Sequence, residues 1–150
     1  MSAAHLLFGW RPFGSALLAL LALCGGGVDQ PGLEAEAERF AAAWEAGDYQ
    51  ALGRVMRSEG IRLHLQDEEH VSIKPKQAQA ALRAFMDRYQ AGESEVTEVS
   101  TAVGDPALGF AEITFRTGAP GLLNPVIFFL FVGYALEDDT WRVTEIRVFY

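Results

Sequence analysis

The run from Val126 to Leu136, with Phe128-Phe129-Leu130-Phe131 inside it, leaves this chain few ways to fold. Its residues are mostly aromatic or branched, and Pro125 and the acidic trio Glu137-Asp138-Asp139 close it off at either end. A membrane-spanning helix needs about 20 apolar residues, so the run is too short for one. A short apolar stretch bounded by turn residues is instead the pattern of a central β-strand buried on both faces. Alternate residues along it form two sets, Phe128/Leu130/Val132/Tyr134 and Ile127/Phe129/Phe131, and both need cover.

The rest of the chain supplies that cover in order. Leu33, Ala37, Phe40, Ala41 and Trp44 recur at helical spacing, with Glu34, Glu36, Glu38 and Arg39 between them. This predicts an amphipathic helix with acids in its first turns, where the helix dipole favours them. Gly47 is placed to end it, and Asp48 to cap a second, shorter helix carrying Ala51, Leu52, Val55 and Met56. From Ile61 the period changes to two: Ile61, Leu63 and Leu65 alternate with Arg62, His64 and Gln66, which marks a half-buried strand. After a polar turn at Asp67-Glu68-Glu69, His70 to Ile73 reads as a short return strand. Pro75 then opens a third helix whose stripe is Ala78, Ala81, Leu82, Phe85, Met86 and Tyr89. Strands follow at 95–103 and about 108–116, a Gly/Pro loop leads into the central strand, and a hairpin over Glu137–Thr140 returns 141–150 antiparallel. Three helices must therefore collect on one face of a strongly curved antiparallel sheet, an α+β architecture.

With 150 residues, half of them hydrophobic, the chain can bury one core, and a single domain is expected. The formal net charge of −8, without any basic cluster, argues against a nucleic-acid partner. Residues 1–23 differ in kind: Arg11 precedes the apolar segment Ala16–Leu23, and Cys24 and three glycines follow. That reads as a secretory signal peptide, with a linker over 24–32 and the folded domain over 33–150. Cys24 is the only cysteine, which rules out an intrachain disulfide or a cysteine-based metal site. Leu21-Ala22-Leu23-Cys24 resembles the bacterial lipobox, in which the cysteine is lipidated; Leu23 departs from it, because that motif wants a small residue there. Lipidation, ordinary cleavage and an uncleaved anchor stay open. The expected location is the periplasm or cell envelope, with membrane contact only through the leader or a lipid.

The run Phe40-Ala41-Ala42-Ala43-Trp44-Glu45-Ala46-Gly47-Asp48-Tyr49-Gln50-Ala51-Leu52 resembles the opening of the nuclear-transport-factor-2-like superfamily. Further along, Ser72-Ile73-Lys74-Pro75-Lys76-Gln77-Ala78, then Leu82 and Phe85, Phe128-Phe129-Leu130 and Trp141-Arg142-Val143 are similar to a bacterial exported family of unknown function in that superfamily. The resemblance implies a cystatin-like cone: a curved antiparallel sheet with three helices on its concave face, usually enclosing a pocket and commonly dimeric through the sheet. It implies no activity, because the superfamily holds enzymes, carriers and scaffolds alike.

Superfamily enzymes place an acid or His in the pocket as general base and a Tyr or acid against the developing oxyanion. Here the sheet positions suited to this are Glu112, Glu145, Tyr134 and Arg147, with Glu112 or Glu145 as base and Tyr134 as donor. On strands flanking the central one, the two carboxylates would be about 10 Å apart, too far to share a proton. Solvated surface charges or cross-strand ion pairs are the plainer account of Glu112, Glu145 and Arg147. His64 and His70 bracket an acidic turn, but their spacing fits no standard metal-ligand pattern, and the alternation points His64 to solvent. No nucleophile elbow or phosphate loop occurs, and no cofactor is expected.

Three helices cover one side of the central strand only. Leaving Ile127, Phe129 and Phe131 wet costs roughly 1.5–3 kcal/mol per side chain, which over two copies is comparable to the ~4–15 kcal/mol cost of association. A homodimer through Ile127, Phe129 and Phe131 is the expected partner arrangement. Three functional readings follow: a non-catalytic exported binder of an apolar small molecule or protein in the cone, a pocket isomerase, dehydratase or hydrolase with a Glu base, and a structural or assembly module. A cone filled by its own side chains would count against the first, and an exposed apolar sheet face is what the third requires.

Overall fold

A computed structural model describes residues 30–150. The leader, Cys24 and the expected linker as far as Asp29 lie outside the described residues. Helix α1 (Gln30–Glu45) starts three residues before Leu33, with Pro31 in the first turn, where the missing N–H has no helical acceptor to lose. Glu34, Glu36 and Glu38 therefore stand beyond the first turn, which holds no acid, and the expected match of acids to the helix dipole is not realised there. The other end is as the sequence requires. Gly47 takes φ +64°, its N–H donates to Trp44 O at 3.0 Å, and the Asp48 N–H reaches back to Ala43 O at 2.8 Å, the two bonds of a Schellman cap. Asp48 Oδ1 then accepts from Ala51 N at 2.9 Å and caps α2 (Tyr49–Arg54).

Next come β1 (Ile61–Leu65), β2 (Glu68–Ile73), α3 (Pro75–Met86), β3 (Glu93–Ala102), β4 (Leu108–Thr117), β5 (Val126–Glu137) and β6 (Thr140–Phe149). They form one six-stranded sheet in the order β2-β1-β6-β5-β4-β3. The apolar run is thus an interior strand, paired with β4 on one side and β6 on the other. Asp138 and Asp139 take φ 49° and 59°, so two positive-φ residues turn β5 into β6 in the geometry that suits the strand twist. One contact departs from the expected antiparallel sheet. β1 lies parallel to β6, from Arg62 beside Glu145 to Leu65 beside Val148, so the sheet is mixed. Without β1, the outer edge of β6 would present a row of unpaired N–H and C=O groups; the β1–β2 hairpin covers it.

Helix α1 lies across β3 and β4, and α3 packs on β1 and α2, so all three helices share one face of the sheet. Register irregularities in β3 after Val96 and in β6 after Val143 add twist. The second of these lets Trp141 and Val143 point inward together with Ile146 and Val148. Among the described residues, no helix is long and apolar enough to cross a membrane.

Candidate functional site

The two faces of the sheet offer different chemistry. Under the helices, Trp44, Leu82, Phe85, Phe128, Leu130 and Tyr134 are all buried. Phe85 and Tyr89 sit edge-on to Phe128 at centroid distances of 5.5 and 4.8 Å, and Trp44 contacts Phe85 at 6.0 Å. These rings occupy the space the sheet curves around. At the rim between α1 and α3 lies a cleft of about 170 Å³, bordered by Trp44, Glu45, Phe85, Tyr89, Gln90 and Phe115 among others, and a shallow groove of about 450 Å³ runs between α1 and β3. Small-molecule sites usually need about 300–1,000 Å³.

Tyr134 is the polar exception in this core. Its ring is buried, and its hydroxyl has no hydrogen-bond partner among the described residues. Burial, with a smaller contribution from the Glu36 carboxylate on α1, pushes the phenol well above its ordinary pKa and holds it neutral. Glu36 itself is ion-paired to Arg39.

The outer face is apolar along its middle and charged on both flanks. Ile127, Phe129 and Phe131 project from β5, with Phe110 against Phe131 at 5.6 Å and Phe149 beside Phe129 in the β5–β6 register. Ile127, Phe129 and Phe149 remain 38%, 56% and 45% exposed. A groove of about 370 Å³ runs over these rings, bordered by Thr97, Glu112, Phe129, Phe131, Arg147 and Phe149. Across the register, Glu112 of β4 and Arg147 of β6 stand on either side of Phe131. Arg147 Nε lies 2.6 Å from Glu145 Oε1, and Arg62 of β1 reaches the same oxygen at 3.6 Å, so one carboxylate serves two guanidinium groups. Glu112 has no ion pair among the described residues, and the register sets another acid, Glu98, beside it on β3.

The structure separates the residues proposed for catalysis. Tyr134 faces the helices, whereas Glu112 is exposed and Glu145 ion-paired on the opposite face, so neither carboxylate can work with Tyr134 across the sheet. Glu112 and Glu145 do flank β5, one on β4 and the other on β6. The His64 ring lies tilted against Phe149 at 5.8 Å between centroids, and His70 Nε2 lies 3.9 Å from Glu68 Oε2. No group of three or more His, Cys, Asp or Glu is placed to hold a metal ion among the described residues. Arg62 and Glu36 were not legible as neighbours of the site, because each reaches it through a contact distant in sequence. Cys24 lies outside the described residues.

Neither family models nor curated proteins match this chain. Solved structures do share its architecture. The Kfla4162 protein from Kribbella flavida superposes with a TM-score of 0.65 at 15% identity, over 80% of this chain and 88% of the other. A provisionally assigned dehydratase of the NTF2-like family from Streptomyces avermitilis gives 0.63 at 16% identity, over 80% and 94%. A DUF4783 family protein from Bacteroides uniformis gives 0.60 at 18% identity, over 74% and 93%. Identities this low speak to architecture alone, and with the helix-lined curved sheet described above they show that this chain has the NTF2-like α+β cone fold.

Proposed function

We propose that this domain is a non-catalytic binding module that assembles with a second copy of itself through the outer face of its sheet. The observation that carries the reading is the exposed strip of Ile127, Phe129 and Phe149 over a groove of about 370 Å³, set against an inner face occupied by the protein's own rings. A contiguous apolar patch of this kind, rimmed by charges, is characteristic of an interaction site. An apolar ligand or a reaction inside the cone has less support, because the rim cleft of about 170 Å³ is small for either. The composition of residues 1–23 favours delivery to the cell envelope, which mass spectrometry of the mature N-terminus would test, a diacylglyceryl group on Cys24 marking the lipidated case.

The central test is the oligomeric state of the wild type and of Phe129→Glu, measured by sedimentation equilibrium. Phe129 is more than half exposed, so the substitution should leave each copy folded. In the dimer it removes two buried rings at roughly 1.5–3 kcal/mol each, so Kd should rise by about 10²–10⁴-fold. A wild type that stays monomeric at tens of micromolar overturns this reading.

A further inference from the structure

Resting on that pairing of sheets, we infer that the two-fold axis of the dimer runs along β5, so that Glu112 of each copy meets Arg147 of the other. Two sheets packed face to face stand about 10 Å apart with their strands roughly aligned, and an isologous pair keeps its axis in the plane between them. Two aligned arrangements satisfy this. An axis along β5 exchanges left and right and sets β4 of one copy over β6 of its partner. An axis across the strands keeps left and right and sets β4 over β4.

The charges on the outer face separate the two. Glu112 and Arg147 share one row, at equal distance on either side of Phe131. The β4 side of that row is acidic: Glu112 carries no ion pair among the described residues and the register adds Glu98 next to it; further along, exposed Glu95 and Glu93 follow on β3, Glu93 opposite Arg116 of β4. On the other side two guanidinium groups lie nearest the axis, Arg62 and Arg147 sharing the single carboxylate of Glu145, and the next acid in the row, Glu69, stands two strands further out on β2. An axis along β5 lays the acidic side of each copy over the basic side of the other, while Phe129 and Phe131 meet their own counterparts at the axis. An axis across the strands through the Phe131 row would stack Glu112 on Glu112 and Arg147 on Arg147, and like charges brought together at an interface are costly. The unpartnered acid and the shared carboxylate in the single copy are then two halves of one arrangement that the second copy completes.

The test is the dimer Kd of the wild type, Glu112→Gln, Arg147→Gln and the double variant, with thermal unfolding of each to confirm folding. Glu112 is exposed and without an ion pair, so Glu112→Gln is not expected to unfold the copy. With the axis along β5, Glu112→Gln removes two symmetry-related contacts and raises Kd by about two- to thirtyfold. The double variant is then no weaker than about the worse of the two singles, and added salt weakens the wild type but not the double variant. With the axis across the strands at the Phe131 row, Glu112→Gln relieves a repulsion and tightens the dimer. A dimer that is unchanged or tighter in Glu112→Gln overturns the axis while leaving sheet pairing intact. A wild type that never dimerises overturns both.

Discussion

Replacing Tyr134 with Phe removes one atom from the core, and the sign of the stability change reports what the cone contains. The hydroxyl is buried and unpartnered among the described residues, a situation that costs about 1–3 kcal/mol in other proteins. The ring keeps its contacts in the variant, so Tyr134→Phe should gain about 1 kcal/mol. With a urea m-value of about 1–3 kcal/mol/M, the midpoint rises by roughly 0.3–1 M, provided protein concentration is held fixed. Fluorescence of Trp44 and Trp141, both buried, follows the transition. Alkaline conditions sharpen the test. Burial holds the folded phenol protonated above the ordinary tyrosine pKa of ~10, while the unfolded chain ionises there. Above that pH the folded state binds one proton more than the unfolded state, so wild-type stability falls as pH rises, by about 1.4 kcal/mol per unit, in the window between the two pKa values. The Phe variant lacks this component, and its advantage should widen between pH 10 and 11. If Tyr134→Phe is less stable at pH 8 by 1 kcal/mol or more, the hydroxyl has a partner inside the cone, and the filled interior must be given up.

Two further substitutions test the frame that holds this face in place. Asp48→Ala deletes the acceptor of the Ala51 N–H at 2.9 Å and should cost about 0.5–2 kcal/mol, with Asp48→Asn recovering most of it; equal unfolding midpoints for wild type and Ala would deny the cap any weight. Gly92→Ala would put a Cβ 2.2 Å from the Arg116 carbonyl oxygen and 2.9 Å from Thr117 Cβ, so β3 must shift against β4. A loss of about 1–3 kcal/mol in thermal unfolding is expected, and an unchanged Tm would mean that the edge strand yields without resistance.

Local signals in the sequence foretold most of the scaffold. Alternation located β1 at Ile61–Leu65, Gly47 and Asp48 marked the corner between helices, and the Asp138-Asp139 turn followed from the short polar gap between two apolar runs. The parallel contact of β1 with β6 was not legible, because no residue near Ile61 records which distant edge it will meet. The same holds for the site. Parity along β5 sorted Tyr134 from Phe131, but only the cross-strand register shows that Glu112 shares the face of Phe131 and not that of Tyr134. The irregularity after Val143 also defeats parity counting along β6, since Val143 and Ile146 point the same way although three residues apart.

The position of β6 has a consequence for how the chain comes together. β6 is described last in sequence, yet it lies inside the sheet, holding β5 on one edge and β1 on the other. The first hairpin, made some 75 residues earlier, has no docking edge until Thr140–Phe149 has been synthesised. Such long-range closure is slow and leaves early segments unassembled on a growing polypeptide. Until β6 is made, the β1–β2 hairpin and the β3–β4–β5 meander are therefore two separate pieces, and the last described strand is the one that joins them.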